Sequence, residues 1–387
     1  MLVTDLVGDE LPPTVSQAPE LLVLGLAALL GLVAAIYLVY RWVFATPGKR
    51  FARLLGSLDS AAILMHPNPD PDAMSCALAA QTIAEGVDTK TTLYHPGEIR
   101  HHENRAFETV LDVNFKRIDS AAEIDEKKVI LVDHNEPRGF EGSRKIDPVG
   151  VIDHHPGEGT GTRFTDVRTD NGACATIFAE YFRQLGYTPT GPDAFETTDN
   201  TRAIPPRVTT GLIYGIQSDT KHLTNGCSAD EFDAAAFLYP GIDQDKLDRI
   251  ANPDMDVESL EVKAQAIMGR DVRGVFAISD VGKVSNIDAI PQAADELRRL
   301  EGINAVVVLG NKNGTIQLSG RSTDDRVHMG KVIESAVEGI PMAGGGGHAR
   351  MGGGQIPIDH MEGLGPNEGL TREELKQRLF DAMNGDL

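Results

Sequence analysis

Carboxylates and imidazoles in this chain fall directly after short apolar runs. His66-Pro-Asn-Pro-Asp70-Pro-Asp72 follows Ile63-Leu64-Met65, Asp133-His134-Asn135 follows the run 129–132 (VILV), and Asp153-His154-His155-Pro156 follows Val151-Ile152. A fourth group, Ser218-Asp219-Thr220, closes the stretch TGLIYGIQ. Each residue alone has an ordinary reading, since an Asp after a strand commonly caps a helix or turns the chain. Together, His66, Asp70, Asp72, Asp133, His154 and Asp219 are six ligands of hard or borderline character. Such a set suits two divalent ions that lean octahedral, such as Mn²⁺, better than one tetrahedral zinc. Prolines 69 and 71 bias Asn68 and Asp70 away from the helical region. The stretch is therefore expected to be extended, with Asp70 and Asp72 facing one site together. Carboxylates that close repel one another unless cations lie between them. Two ions at one site can generate a nucleophile at neutral pH and neutralise the charge that builds on a phosphoryl centre.

The elements that must position these residues alternate between strand and helix. Apolar runs at 61–65, 89–94, 129–132 and 149–152 read as strands, and 75–85, 172–185 and 208–216 as helices, which predicts an α/β domain with a mainly parallel sheet. In open sheets of this kind ligands bind beyond the strand C-termini, where the three clusters fall. The pattern turns charged and loose near 243–253, which marks a hinge. A second α/β unit follows, with strands at 275–279 and 305–309, an Asn-Lys-Asn-Gly hairpin leading into 315–318, a helix at 327–337, a glycine-rich loop opening at 344–347, and a capped helix at 371–383. The expected division is a metal-binding domain over 51–245, a linker over 246–265 and a smaller α/β domain over 266–387.

Residues 21–40 (LLVLGLAALLGLVAAIYLVY) are uncharged and mostly apolar. At about 1.5 Å per residue, a helix of that length spans roughly 30 Å of hydrocarbon. Tyr37, Tyr40 and Trp42 stand at one end as interfacial aromatics. Asp5, Asp9, Glu10 and Glu20 precede the run, whereas Arg41, Lys49, Arg50 and Arg53 follow it. The positive-inside rule then predicts a single-pass helix over 21–44, residues 1–20 outside, and everything beyond in the cytoplasm. A single-pass anchor is compatible with a homodimer.

The formal net charge of −21 over 387 residues argues against a broad basic groove for nucleic acid, and no duplex partner is expected. The three scattered cysteines, Cys76, Cys174 and Cys227, form no C-x-x-C pair and read as reduced thiols.

Asp153-His154-His155 and the surrounding motifs closely resemble the DHH phosphoesterase family, which includes RecJ-like nucleases, nanoRNase/pAp phosphatases and cyclic-dinucleotide phosphodiesterases. His66…Asp70-x-Asp72-Ala73 is similar to its first motif, Asp133 to its second, and Tyr214-Gly-Ile-x-Ser-Asp219-Thr220 to its fourth. The second unit resembles the DHHA1 domain through Leu318-Ser-Gly-Arg321-Ser322 and the run from Gly344 through Gly345, Gly346 and Gly347 to His348. Pro71 and Met74 stand where the family often has glycine. The resemblance implies a site in a cleft between the two domains. There His66, Asp70 and Asp133 would hold one metal, and Asp72, Asp133, His154 and Asp219 a second, with Asp133 bridging. His155 would contact the scissile phosphate, and Asp153 would orient a neighbouring histidine. Arg321, Ser322, Gly345, Gly346, Gly347 and His348 would bind substrate. The implied substrates are small nucleotides: short oligonucleotides, cyclic dinucleotides or pAp. A single-strand exonuclease and a non-hydrolytic membrane nucleotide sensor are the alternatives.

Overall fold

The computed structural model describes residues 23–24, 26–33, 45–99, 101–195, 202–362 and 369–386. They form two compact units that divide between Ala251 and Asn252.

In the first unit six strands make one sheet: β1 (Ser60–Leu64), β2 (Lys90–Pro96), β3 (Lys116–Ile118), β4 (Val129–Val132), β5 (Gly150–Asp153) and β6 (Phe164–Val167). The order is β3-β2-β1-β4-β5-β6, with every pairing parallel. The chain runs outward through β2 and β3, returns to β4 beside β1, and runs outward the other way. That reversal between β1 and β4 is the topological switch point at which α/β sheets open a ligand crevice. β1, β4 and β5 are consecutive neighbours in the sheet. At about 4.8 Å between strands, the segments that follow them must lie side by side.

Five helices of this unit matter for the site: α1 (Pro47–Leu55), α2 (Pro71–Glu85), α3 (His102–Val110), α4 (Cys174–Leu185) and α5 (Pro206–Asp219). α2 is rich in alanine and buried along most of its length, so it packs as a core element without a polar face. Gly215 of α5 permits the close approach of α5 to α2, since a Cβ there would lie 2.6 Å from Ser75 Oγ and 3.1 Å from Asp72 Cα. The core is aliphatic with an aromatic knot of Phe51, Phe164, Phe178 and Tyr181. Between α4 and α5 lies a two-strand pair, β7 (Thr188–Pro189) with β8 (Ala203–Ile204), and beyond α5 come the helices α6 (Ala229–Leu238) and α7 (Gln244–Ala251).

The second unit begins with α8 (Val257–Met268) and builds a sheet in the order β13-β14-β12-β11-β10-β9. Its strands are β9 (Arg270–Arg273), β10 (Phe276–Lys283), β11 (Ala305–Lys312), β12 (Thr315–Ser322), β13 (Gly344–Gly347) and β14 (Met351–Pro357). Only β10 and β11 pair in parallel. The helices α9 (Ala289–Leu297), α10 (Met329–Val337) and α11 (Arg372–Asn384) pack with it, and Thr371 closes a capping box on α11. The expected hairpin is present, with Asn313 and Gly314 both at positive φ in its turn.

Several sequence-based expectations need correction. Asp70 and Asp72 do not share an extended stretch. Pro71 starts α2, Asp70 is its N-cap and accepts from Ala73 N at 3.0 Å, and Asp72 sits in the first helical turn. Proline at the first helical position costs no hydrogen bond and fixes a helical φ, so it nucleates where an extended reading stopped it. The glycine-rich run is not a loop but strand β13, paired antiparallel with β14. The division between the units falls inside the linker expected at 246–265, which is helical over most of its length: it holds most of α7 and the first nine residues of α8. Their buried positions (Ile250; Ser259, Val262 and Ala266) are too sparse to show as periodicity. No helix among the described residues is long and apolar enough to cross a membrane. The expected outer tail 1–20, and most of the expected span 21–44, lie outside the described residues. Those described within the span, 23–24 and 26–33, are helical and exposed.

Candidate metal centre

The structure brings together all six residues singled out as ligands. They form overlapping groups whose ligand atoms lie within 4.8 Å of one another: His66 with Asp70 and Asp133; Asp72 with His154 and Asp219; and Asp133 with His154 and His155. Asp133 belongs to two of them. Its Oδ2 lies 3.4 Å from His66 Nε2, and its Oδ1 lies 3.4 Å from His154 Nε2. His66 Nε2 also faces Asp70 Oδ2 at 3.5 Å, and His154 Nε2 faces Asp219 Oδ2 at 3.4 Å and Asp72 Oδ2 at 3.8 Å.

The backbone fixes which imidazole nitrogen faces the carboxylates. His66 Nδ1 lies 3.0 Å from Pro67 O, and His154 Nδ1 lies 3.2 Å from Asn171 O. A carbonyl only accepts, so Nδ1 must donate in each case, and Nε2 is left to face two or three carboxylates. In the neutral ring that nitrogen is a lone pair aimed at negative charge. Asp133 reaches its position through a left-handed backbone, φ 60°, which Asp tolerates better than most residues. Its amide donates to Ile152 O at 2.9 Å and ties the turn to β5. Asp72 is buried, and both of its oxygens accept backbone bonds, Oδ2 from Cys174 N at 2.6 Å and Oδ1 from Ala175 N at 2.8 Å.

The electrostatics show a site short of positive charge. Burial raises the Asp133 carboxyl to about 6 despite its histidine neighbours, and burial with Asp133 and Asp219 nearby pushes Asp72 well up. Burial opposes charge on His66 and His154, yet the facing carboxylates win and raise them to about 11 and about 10. Both Asp133 oxygens and His154 Nε2 are buried without a hydrogen-bond partner among the described residues. Such orphaned buried atoms cost several kcal/mol in an ordinary core, on the order of 1–3 each. Four carboxylates and two imidazoles, aimed inward, fit divalent cations. Because the metal-free protein holds protons on His66 and His154 at pH 8, cation binding must expel them. Calorimetric titration of Mn²⁺ at pH 8 in buffers of differing ionisation enthalpy should report net release of protons. Enthalpies independent of buffer would contradict this.

Asp153 and His155 sit beside the ligands. Asp153 Oδ1 accepts from the amides of His154 at 2.8 Å and His155 at 3.1 Å, and lies 2.9 Å from His155 Nδ1. These bonds hold the Asp153 carboxyl below its usual range although burial opposes this, and the Asp153 contact raises the His155 imidazole. The His155 side chain is 45% exposed, the most open group at the site.

Several residues with supporting roles are not among the ligands expected from the sequence. His134 is buried, its pKa pushed down to about 4 by burial, and it packs edge-on to His66 with ring centroids 6.4 Å apart. Asn104 of α3 has a buried side chain that donates to Pro69 O at 2.9 Å and braces the turn before Asp70. Asn171, Cys174 and Ala175 act through their backbones.

In the second unit the substrate residues expected from sequence divide. Gly345, Gly346 and Gly347 lie on β13, and His348 follows, with its amide donating to Met351 O at 2.8 Å. Gly347 has φ 143°, open only to glycine. Arg321 does not stand free for a phosphate. Its Nε and Nη2 donate to Asp295 at 2.8 and 3.2 Å, and Nη1 donates to Ser319 Oγ and Gly320 O. Ser322 is buried and closes a turn with Asp324. These two are structural in this conformation. An Arg-Ser pair reads the same in sequence whether or not an acidic partner waits 26 residues away.

Residues 60–216 match the DHH family, N-terminal domain, and residues 274–365 match the DHHA1 domain. The chain thus combines a DHH-family N-terminal domain with a DHHA1 domain. It is 32% identical over 331 residues to an uncharacterized protein of Methanocaldococcus jannaschii, a match over 83% of this chain and 63% of that protein. It is 27% identical over 194 residues to a protein of Deinococcus radiodurans described as a probable manganese-dependent inorganic pyrophosphatase, covering 46% of this chain and 53% of the relative. The chain thus spans less than two thirds of the length of either curated relative. Among solved structures, an exopolyphosphatase-related protein from Bacteroides fragilis shares the fold, with a TM-score of 0.59 at 15% identity over 87% of this chain and 95% of that one.

Proposed function

We propose that the chain hydrolyses phosphodiester or phosphomonoester bonds of small nucleotides with two divalent ions, Mn²⁺ foremost. The observation that carries the reading is the Asp133 carboxylate, buried and unpartnered, with one oxygen turned to His66 and the other to His154. In this reading His66, Asp70 and Asp133 hold one ion, and Asp72, Asp133, His154 and Asp219 the other. Bound there, the ions supply Lewis acidity toward phosphate and water. Asp153 holds the His155 ring by Nδ1, which leaves Nε2 to donate to a phosphate oxygen as charge develops. Gly345–Gly347 and His348 take the rest of the substrate, where the lack of side chains lets backbone N–H groups approach a phosphate.

The net charge of −21 favours small ligands over long polyanions. The Deinococcus radiodurans relative adds inorganic pyrophosphate as a second substrate reading. A hydrolysis screen with Mn²⁺ would compare pApA, cyclic di-AMP, pAp, short RNA, pyrophosphate and long single-stranded DNA. Highest turnover on a small nucleotide is expected. A preference for long strands would move the assignment to a single-strand exonuclease, and binding without turnover would make it a sensor.

We also place the chain in the membrane through residues 21–44, with the catalytic part cytoplasmic. The charge asymmetry around the apolar run supports this, as do the exposed leucines at 24, 26, 29, 30 and 32. Carbonate-washed membranes should retain the full chain and lose a variant without residues 1–44. Full chain in the wash would contradict anchoring.

A further inference from the structure

We infer that Glu231, a buried carboxylate on α6 outside the ligand set, is a positioning residue that aligns the Asp72–His154–Asp219 half of the metal centre. The inference rests on the two-ion reading above, and concerns metal affinity instead of substrate.

The segment 171–175 touches two ligands that come from different elements. Asn171 O accepts from His154 Nδ1 at 3.2 Å, and the amides of Cys174 and Ala175 donate to the two oxygens of Asp72. It also lies against the turn that follows Asp219. A Cβ on Gly172 would strike the Gly226 carbonyl oxygen and come within 2.9 Å of Thr220 Cγ2. Five residues of backbone therefore set the direction of one imidazole and one carboxylate and adjoin the chain beyond a third ligand.

Glu231 anchors this segment. Its Oε2 accepts from Ser228 N at 2.5 Å and Ser228 Oγ at 2.8 Å, an ordinary capping box on α6. A cap accounts for one oxygen only. The other, Oε1, reaches across about sixty residues of sequence and accepts from Gly172 N at 2.9 Å and Asn171 Nδ2 at 3.4 Å. The side chain is wholly buried. A buried carboxylate clamped by a cap through one oxygen and bonded to a turn through the other fixes that turn, and partners behind a ligand's own contact tune metal affinity. His66 and Asp70 have no contact with this segment in the hydrogen bonds described, so the effect falls on one ion.

Mn²⁺ binding to the full chain, followed by calorimetry and by electron paramagnetic resonance, tests this. In Glu231→Ala the first Mn²⁺ should bind as in the wild type. The second should weaken about 10- to 100-fold, and the spin-coupled signal of a paired centre should give way to that of an isolated ion. The Cys174 and Ala175 amides should exchange faster in the metal-free protein. Ser228→Ala removes half of the cap but leaves Oε1 on Gly172, so it should lower Tm and keep both affinities. Asn171→Ala cuts the weaker link without touching the cap and should weaken the second ion to a smaller degree. It decides the matter if Glu231→Ala does not fold. Wild-type affinity for both ions in folded Glu231→Ala, or in Asn171→Ala where only that variant folds, would overturn the inference. So would an equal loss in Ser228→Ala. Wild-type protein that binds no second Mn²⁺ would remove the two-ion reading itself.

Discussion

Asp133→Asn should lower Mn²⁺-dependent hydrolysis by on the order of 10³-fold or more, exceeding the loss of a single oxyanion donor. Asp133 is buried, with one oxygen turned to His66 and the other to His154. An amide of the same shape removes the charge shared by the two ligand groups, so both ions weaken together. Asparagine accepts the left-handed φ of 60° that alanine would strain, so the backbone is unchanged. Steady-state rates, and thermal melts with and without Mn²⁺, measure the loss of turnover and of metal binding. Wild-type turnover in the variant would remove Asp133 from the shared position.

Gly330→Ala should raise KM for a nucleotide substrate by about 10- to 100-fold with a much smaller change in kcat, and cost about 1–3 kcal/mol of stability. A Cβ at Gly330 would lie 2.5 Å from Gly347 C and 2.8 Å from Gly347 N, and closer still to its carbonyl oxygen. These are backbone atoms, so no side-chain rotation relieves the overlap. The start of α10 is stitched to the same turn: Gly330 N donates to His348 O at 3.0 Å and Met329 N to Ala349 O at 2.9 Å. The variant must therefore push β13 away from α10 and displace the N–H groups and His348 together. The ions, held by the other unit, keep their ligands, which is why the loss should appear in binding. Unchanged KM would mean that the glycine strand does not receive substrate.

The sequence carries the ligands more fully than their support. His66, Asp133 and His154 are legible because each follows an apolar strand, and a parallel sheet sends all such ends to one edge. Asp72 is legible by type but misleading by conformation, because Pro71 starts a helix where it also reads as a block to one. Glu231, Asn104 and Asn171 are illegible for a different reason. They act through backbone groups or over long sequence separations, and a buried Glu in a capping box has the spacing of any exposed one. Arg321 shows the converse: its motif is plain, yet Asp295 occupies the guanidinium. The glycine run reads wrongly as a loop, since β-pairing of bare backbone leaves no side-chain pattern.

The most direct test of the paired-ion site is a manganese-edge anomalous difference map from crystals grown with Mn²⁺. Two peaks roughly 3.5–4 Å apart, one on the His66 side of Asp133 and one on the His154 side, are the predicted result. A lone peak, or peaks away from that carboxylate, would contradict it.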